Sequence, residues 1–522
     1  MQPLFSVQQS RGLDDYAINK LNYPSLLLME NAANSIFTKI VKYNPELGPS
    51  DRIGIICGKG NNAGDGFALA RICVAKGVAV QLLCLYDESE LSPDSFTNFN
   101  ILKALESKIL NIKRFTSVKD LSIFKDCTII VDAILGTGAQ GPLVEPLKSI
   151  VEKLNSMEAF KVAADVPTGL NADTGFGDTV FEADLTVSLG TLKRGLFIGR
   201  GYEYAGIVEL GFIGVDYDWV SYRFTDFLIE KHDIPYIFPV KKKTVNKYSA
   251  GKVLTIGGSG RYVGAAEFTA FSAMKVGAGA SVLAVPASVK NNFNRFPELV
   301  LQPYPDNDYP WLSADAVDSL EKSIEWADVI AVGPGLGREE DTIEAVVYLL
   351  SKFTSKVFVI DADALFALSK AGVKKLMLKN SILTPHPGEF ELLSGVPLSE
   401  LEQDLLRAGR QFTKSFGPCL VLKNPKTIMF TPSGEAFVNN VGNQGLAKFG
   451  SGDVLTGIIA GVAAQKTNPR FANMDLGVAV LASIYLHGFA GDLLREKSTE
   501  YGFTATDIIK ILPKAIKKLV KE

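Results

Sequence analysis

Residues 447–461, AKFGSGDVLTGIIAG, place one carboxylate, Asp453, directly after a Gly-Ser-Gly turn and directly before a run of small apolar residues. Apolar residues recur between 454 and 462 with the period of a helix, so the segment predicts a helix that begins near Asp453. Glycines ahead of a helix leave backbone N–H groups free to hold an anion. The segment therefore predicts an anion cradle with a general base beside it. The simpler interpretation is an Asp that only complements the helix dipole.

A second glycine-rich turn, in GKGNNAGDGFALARICVAKG (58–77), follows a predicted strand and precedes a predicted helix. Its spacing is neither that of GxGxxG nor that of a P-loop. Asn61, Asn62 and Asp65 place two carboxamides and one carboxylate in a single tight loop. Such groups hydrogen-bond a ligand or hold a hard cation.

Two further predicted strands of the first half end in a carboxylate. Asp132 lies in IIVDAILGTGAQGPL (129–143) and Asp165 in VAADVPTGLNADTG (162–175), each followed by a Gly- and Thr-rich loop. The carboxyl ends of parallel strands meet at one edge of a sheet, where ligands bind. Together with Asn62 these residues predict a binding site at that edge.

Short apolar, β-branched runs alternate with amphipathic segments in both halves of the chain, which indicates parallel α/β sheets. The predicted strands of the first half are 52–57, 79–86, 127–134 and 160–167. Those of the second half are 251–258, 280–286, 328–335, 357–365 and 418–424. The two sets predict two separate sheets. We expect the boundary in the aromatic, charge-mixed stretch around 216–245.

Composition excludes several classes of function. The 522 residues predict two to four domains, and a net charge of −3 gives no electrostatic case for nucleic acid or an anionic membrane. The five cysteines show no CxxC spacing, so buried free thiols and a cytoplasmic location are expected. Residues 476–491 are apolar but contain glycines and His487, which predicts a buried core helix instead of a membrane span.

Three first-half motifs, NNAGDGFALAR, DAILGTGAQGPL and ADVPTGLNADTG, resemble in that order the NAD(P)H-hydrate epimerase family, the YjeF amino-terminal domain. SLGTLKRGLF (188–197) and GIVELGFIG (206–214) also fit, and Ala63 stands where many members have Gly. The resemblance implies a Rossmann-like epimerase domain over 1–215 that interconverts the R and S hydrates, with Asp165 as the catalytic carboxylate. It implies a potassium ion held by Asn62, Asp132 and Thr168. It implies substrate binding by Asp165 and by two loops: Asn61, Asn62, Ala63, Gly64, Asp65, and Gly136, Thr137, Gly138, Ala139, Gln140, Gly141, Pro142.

The Gly-Ser-Gly-Asp motif is typical of ribokinase-like enzymes in general, so it does not identify the substrate. Other motifs of the second half narrow the choice of family. GKVLTIGGSGRYVGAAEFTA, VGPGLGR, LTPHPGEFELL and LVLKNPKTIMF together resemble the ADP/ATP-dependent NAD(P)H-hydrate dehydratase family. The resemblance implies a ribokinase-like domain over 245–522, joined to the first by a linker over 216–244. Asn424 stands where members usually have Gly, and Asn246 where His is common.

The second resemblance also implies residue roles. Asp453 would be the base, Mg²⁺ would accompany ADP or ATP, and hydrated NADH or NADPH would be the substrate. Hydrate binding is implied for Ala265, Gly337, His386 and Asp453, and nucleotide binding for Lys423, Asn424, Pro425, Lys426, Thr427 and Gly452. A lone His such as His386 is more often structural, but its place between two prolines favours a ligand contact.

The expected function is a bifunctional repair enzyme with two three-layer α/β domains, forming a homo-oligomer. Epimerisation would supply the S hydrate, and phosphorylation of its C6 hydroxyl followed by loss of phosphate would restore NAD(P)H, leaving AMP when ADP is the donor. Three alternatives stay open: a vitamin or sugar kinase with a regulatory first domain, a non-catalytic nucleotide-binding first half, and a Rossmann dehydrogenase, which the missing GxGxxG disfavours.

Overall fold

The computed structural model describes residues 1–138, 141–239, 241, 243–293, 295–373, 376, 378–465 and 476–520. The chain divides into two compact units, one of residues 3–224 with 402–405, and one of 1–2, 225–401 and 406–522. The division falls at 224/225, inside the predicted linker 216–244. Residues 226–229 form a strand of the second unit that pairs in parallel with residues 436–439.

Eighteen strands occur in the described residues. They are β1 Gln2–Pro3, β2 Arg52–Cys57, β3 Ala79–Cys84, β4 Leu110–Arg114, β5 Ile129–Ala133, β6 Phe160–Ala164, β7 Leu185–Leu189, β8 Ile207–Gly211, β9 Asp226–Ile229, β10 Lys252–Ile256, β11 Ala280–Pro286, β12 Val300–Tyr304, β13 Val329–Val332, β14 Val357–Ile360, β15 Ser381–Leu383, β16 Cys419–Leu422, β17 Ile428–Phe430 and β18 Ala436–Asn439.

The same residues contain eighteen α-helices. They are α1 Val7–Asp15, α2 Ser25–Tyr43, α3 Asn61–Ala75, α4 Pro93–Lys103, α5 Leu147–Asn155, α6 Gly201–Tyr204, α7 Ile234–Ile237, α8 Gly264–Lys275, α9 Ala314–Ser319, α10 Glu321–Trp326, α11 Glu340–Lys352, α12 Asp363–Ala371, α13 Pro387–Ser394, α14 Leu398–Gln403, α15 Leu405–Phe416, α16 Ser451–Ala463, α17 Leu476–Lys497 and α18 Ala505–Val520.

The first unit is built on a seven-stranded parallel sheet in the order β4-β3-β2-β5-β6-β7-β8. Numbered within the unit, this is the 3-2-1-4-5-6 order of a Rossmann-type sheet with one strand added. The order reverses between β2 and β5, so the loops that follow these two strands flank a crevice. The predicted Rossmann-like α/β class of this half is confirmed.

The second unit contains an eleven-stranded sheet in the order β1-β9-β18-β17-β16-β15-β14-β13-β10-β11-β12. Strands β10 to β16 run parallel to one another, and β17 pairs antiparallel with both β16 and β18. Its order reverses at β10, between β11 and β13. The prediction of two separate sheets is therefore confirmed.

Most predicted strands match within a few residues, but 357–365 is wrong at its end. Strand β14 stops at Ile360, and helix α12 begins at Asp363. Ala362 takes a positive φ of 50°, so the chain turns out of the sheet between two aspartates. The apolar residues of this segment therefore belong first to strand β14 and then to helix α12.

The predicted core helix near residue 476 is confirmed as α17. By length and composition alone it is the one helix of the described residues that could cross a membrane, yet 72% of its most apolar window is buried inside the protein. All five cysteines are free and buried, as predicted.

Helix α16 packs against α8 at backbone distance. A Cβ placed on Gly457 would lie 2.1 Å from the carbonyl oxygen of Thr269, and one on Gly461 would lie 2.5 Å from that of Ala273. Backbone atoms cannot move aside as a side chain can, so these two positions require glycine. The contact between α8 and α16 therefore fixes the distance between the start of α16 and the sheet.

We expect Gly457→Ala to lower the free energy of unfolding of the second unit by about 1–3 kcal/mol, the usual cost of overpacking. Gly477→Ala is the matched control, because its added methyl meets only the flexible end of Met429, at 2.9 Å. Alanine also favours a helix over glycine by about 1 kcal/mol. Denaturant unfolding measures both variants, and equal stability of the two would contradict the close packing.

Candidate active sites

The crevice of the first unit holds a carboxylate that is wholly buried. Asp132, on β5, is 0% exposed and accepts hydrogen bonds from the Thr168 amide and hydroxyl, both at 2.7 Å, and from the Ile134 amide at 3.1 Å. Burial raises the pKa of Asp132 to about 6, against the lowering effect of these bonds. The predicted ligands Asp132 and Thr168 are therefore in direct contact.

Asn62, at the start of α3, is the third predicted cation ligand. Its side chain is buried, and neither the oxygen nor the nitrogen of its carboxamide has a hydrogen-bond partner among the described residues. A buried, unpaired amide costs free energy unless a ligand satisfies it. This donor set of carboxamide, carboxylate and hydroxyl oxygens fits an alkali cation.

Glycines bring α3 and the β5 loop close to the sheet. A Cβ on Gly66 would lie 2.7 Å from the Cys57 sulfur and 2.8 Å from the Ala133 Cβ, so α3 could not lie against β2 and β5 with a larger residue. A Cβ on Gly136 would lie 3.3 Å from Asp165 Oδ2 and 3.5 Å from the Asn62 side chain. Gly136 thus leaves room between two predicted functional side chains.

Asp165 follows β6 with a positive φ of 68°, a strained conformation for a residue with a side chain. Its Oδ1 accepts hydrogen bonds from the Lys193 ammonium at 2.5 Å and from the Leu189 amide at 3.2 Å. Its Oδ2 accepts a long bond from the Thr137 amide at 3.4 Å. Lys193 is 2% exposed and also donates to the Leu189 carbonyl. Sequence reasoning gave Lys193 no role, although it lies in the quoted SLGTLKRGLF.

A cavity of about 520 Å³ opens at this crevice. Of the predicted first-domain residues, it is lined by Asn61, Asn62, Asp65, Gly136, Thr137, Gly138 and Asp165. Ala63 is 0% exposed in the core beside Phe67, so its side chain packs inward and is not part of the wall. Gly64, Gly141 and Pro142 are also absent from the lining described, and Ala139 and Gln140 lie outside the described residues.

In the second unit, Asp453 lies in the first turn of α16, whose N-cap Gly450 has a φ of 88°. The amides of Gly452 and Asp453 lack helical acceptors because the residues four positions earlier lie outside the helix. Burial and the nearby Asp361 carboxylate raise the pKa of Asp453 to about 7, and Lys423 opposes that rise. The predicted base and anion cradle therefore occur at one helix end.

Lys423 follows β16 and pairs with a buried carboxylate that sequence reasoning passed over. Its Nζ lies 2.7 Å from Asp361 Oδ1, and the Thr456 hydroxyl donates to Asp361 Oδ2 at 2.6 Å. A Cβ on Gly452 would lie 3.5 Å from the same Nζ. The lysine thus stands between the strand-end carboxylate and the start of α16.

Ala265 lies in the first turn of α8, which follows β10, and Gly337 lies in the loop that follows β13. The Thr269 hydroxyl lies 3.0 Å from the Ala265 carbonyl and 3.1 Å from that of Asp453, so it links the two helices. The Gly337 amide donates to Asp363 Oδ2 at 3.0 Å. Asp361 and Asp363 come from the two sides of the Ala362 turn, and the strand-end pattern applied to VFVIDADAL would have found both.

His386 is the N-cap of α13. Its Nδ1 accepts hydrogen bonds from the amides of Gly388 and Glu389, at 3.1 and 3.3 Å, and the Glu389 carboxylate accepts from the His386 amide at 2.8 Å. An Nδ1 that accepts fixes the proton of a neutral ring on Nε2. The imidazole is exposed, so Nε2–H is available to a ligand.

The predicted nucleotide segment 423–427 connects β16 with β17. The Thr427 carbonyl accepts from the Asn439 amide at 2.9 Å, and Lys426 Nζ reaches the side-chain and carbonyl oxygens of Asn440, at 3.2 and 3.3 Å. Burial lowers the pKa of Lys426. Asn424 and Pro425 lie in the turn itself, directly after Lys423.

Comparisons with known proteins match both units. A family model described as NAD(P)H-hydrate dehydratase matches residues 253–514, and one described as YjeF-related protein N-terminus matches residues 25–195. A bifunctional NAD(P)H-hydrate repair enzyme of Moorella thermoacetica is 33% identical over 99% of this chain and 97% of its own length. One of Dictyoglomus turgidum is 32% identical over 99% of both. A ribokinase-like protein structure from Enterococcus faecalis is 28% identical, with a TM-score of 0.49, over 58% of this chain and 99% of its own.

Two α/β domains with carboxylates at the ends of their parallel strands, each matched by its own family model, define a bifunctional enzyme. The chain belongs to the family of bifunctional NAD(P)H-hydrate repair enzymes. Its first unit carries the epimerase domain, and its second the dehydratase domain. The predicted family is therefore confirmed.

Two substitutions at His386 separate its role as the N-cap of α13 from its predicted contact with a ligand. We expect His386→Ala to destabilise the second unit by about 1 kcal/mol, the usual cost of a lost N-cap. His386→Asn keeps a capping side chain and should unfold near the wild-type temperature. Since both variants lack Nε2–H, both should raise the KM for hydrate. Thermal unfolding and steady-state kinetics measure the two effects, and an Ala variant as stable as the wild type would contradict the cap.

Proposed function

We propose that the first domain equilibrates the R and S hydrates of NADH and NADPH, and that the second dehydrates the S epimer with ADP. The observation that carries the proposal is Asp453, a buried carboxylate with a raised pKa at the amide-rich start of α16. We favour ADP over ATP because the two domains are fused in one chain, as in the bacterial relatives. A homo-oligomeric state and a cytoplasmic location stay predictions.

In the dehydratase domain, the proposed role of Asp453 is to take the proton of the C6 hydroxyl as that oxygen attacks the β-phosphorus of ADP, releasing AMP. The amides at the start of α16 and the Lys423 ammonium would stabilise the negative charge of the transferred group. Loss of phosphate from C6 and of a proton from C5 then restores the C5–C6 double bond. Mg²⁺ would enter with the nucleotide and offset its phosphate charge.

In the epimerase domain, Asn62, Asp132 and Thr168 are the residues we propose for potassium. Bound there, the ion would supply positive charge next to a carboxylate whose pKa burial raises. Asp165 would move protons at the hydrated ring, held in place by Lys193 and the Leu189 amide.

Recovery of absorbance at 340 nm tests the dehydratase directly. With purified S hydrate of NADH, Mg²⁺ and ADP, we expect wild-type enzyme to restore the absorbance and Asp453→Asn to lose at least about 100-fold in kcat. The exposed Asp315→Asn, on α9, is the control. No recovery with either ADP or ATP, together with a phosphorylated product that persists, would favour the kinase alternative.

The dependence of S-hydrate dehydration on pH should follow the ionisation of Asp453. Because the pKa of Asp453 is about 7, its reactive carboxylate form is lost as the pH falls below that value. We expect kcat/KM for the S hydrate to rise between pH 6 and pH 8 and then to level off. A profile that is flat across this range would remove Asp453 as the titrating base.

Potassium dependence should be confined to the first domain. Replacing K⁺ with choline is expected to slow R-to-S interconversion, with no change in S-hydrate dehydration. Asn62→Ala should abolish both the activation by K⁺ and any rise in melting temperature that K⁺ produces, while the exposed Asn34→Ala should preserve them. Equal rates in K⁺ and choline would contradict the proposed ion site.

A further inference from the structure

The epimerase cavity contains a second carboxyl group whose surroundings differ from those of Asp165. Asp65, in the first turns of α3, is 8% exposed and lines the same cavity as Asp165. The described part of the chain gives its carboxyl group neither a hydrogen-bond partner nor an ion pair. Burying an unpaired carboxyl group costs free energy, so a structural role does not account for Asp65.

The two carboxyl groups differ in what holds them. Asp165 has an ammonium and two backbone amides within hydrogen-bond reach. Burial, with further contributions from the carboxylates of Asp165 and Asp14, raises the pKa of Asp65 well above its ordinary value, and Lys193 only partly opposes this. Of the carboxyl groups that line the cavity, which also include Asp14 and Asp94, Asp65 is the one classed as buried. A buried, unpaired carboxyl group that favours its protonated form can act as an acid beside a paired carboxylate.

We propose that Asp65 is a catalytic acid of the epimerase and works with Asp165 as base on the opposite side of the hydrated ring. This inference rests on the epimerase activity proposed above and assigns its proton transfers. It also selects one of two chemical routes, opening of the C6–O bond instead of opening of the ring.

The proposed epimerisation consists of the loss of water from C6 and the addition of water to the opposite face. Asp65 gives its proton to the C6 hydroxyl oxygen, the C6–O bond breaks with its electron pair leaving on water, and the N1 lone pair forms an N1–C6 double bond. A water molecule then adds to C6 from the other face while Asp165 takes its proton, and the N1–C6 pair returns to N1. The product is the opposite epimer, with Asp65 ionised and Asp165 protonated, which is the starting state for the reverse direction.

Oxygen exchange and kinetics on the full-length enzyme test the proposal. In ¹⁸O-labelled water, each R-to-S inversion should introduce one labelled oxygen at C6, as measured by mass spectrometry at early times. Asp65→Asn should lower kcat for interconversion by about 100-fold or more, with KM nearly unchanged. Asp120→Asn is the matched control, because Asp120 is also 8% exposed in the first unit but binds Thr116 and Ser117.

The outcomes separate the inference from the proposed function. Wild-type enzyme that interconverts the epimers while Asp65→Asn keeps full kcat, or raises only KM, would overturn the acid role of Asp65. Inversion without label uptake would overturn cleavage of the C6–O bond. Failure of the wild-type enzyme to interconvert the epimers would instead overturn the epimerase proposal. Thermal unfolding of the first unit at the wild-type temperature in each variant shows that the substituted domain is folded.

Discussion

Carboxylates buried at the ends of parallel strands are the constraint on which both units depend. A charge removed from water is tolerated only when hydrogen bonds or an opposite charge offset the loss of hydration. Thr168 does this for Asp132, Lys193 for Asp165, and Lys423 with Thr456 for Asp361. Thr168 and Lys193 come from the ends of adjacent strands, Lys423 from a strand two places away, and Thr456 from helix α16, so the order of the strands decides which carboxylates can be buried.

Several polar groups to which we assign chemistry have no such compensation. Asn62 has an unpaired buried carboxamide, and burial raises the pKa of both Asp65 and Asp453. In each case a ligand would supply the missing partner. This is a cation for Asn62, an oxygen that accepts a proton for Asp65, and a hydroxyl that donates one for Asp453. The compensated carboxylates Asp132 and Asp165 lie near Asn62 and Asp65, so the proposed first-domain site combines paired and unpaired polar side chains.

Much of this arrangement could be predicted from the sequence. Asn62, Asp132 and Asp165 each follow an apolar run that ends in a glycine-rich loop, and topology alone brings such residues to one edge. The start of α16 was predictable because glycine, serine and aspartate are the residues a helix N-terminus selects. Short, continuous apolar strands also made the two sheets visible before any pairing was known.

What could not be predicted depends on contacts between residues distant in the chain. Lys193 lies 28 residues from Asp165, and nothing in a lysine followed by an arginine indicates burial. Ala63 follows two predicted ligands, but the helical rotation of α3 turns it into the core. The segment around Asp361 appeared to be one strand, because a positive φ at alanine has no signature in the sequence.

Backbone strain, at Asp165 in one unit and at Ala362 in the other, is a feature that the two sites share. Both residues have side chains, follow a central strand and take a positive φ, at a cost of about 1–3 kcal/mol each. At β6 the turn directs the Asp165 carboxylate to Lys193, and at β14 it separates Asp361, bound to Lys423, from Asp363, bound to the Gly337 amide. Glycine would relieve the strain at either turn, but it would also widen the range of conformations open to the loop. Both sites therefore keep a strained residue where the direction of a neighbouring carboxylate matters more than local stability.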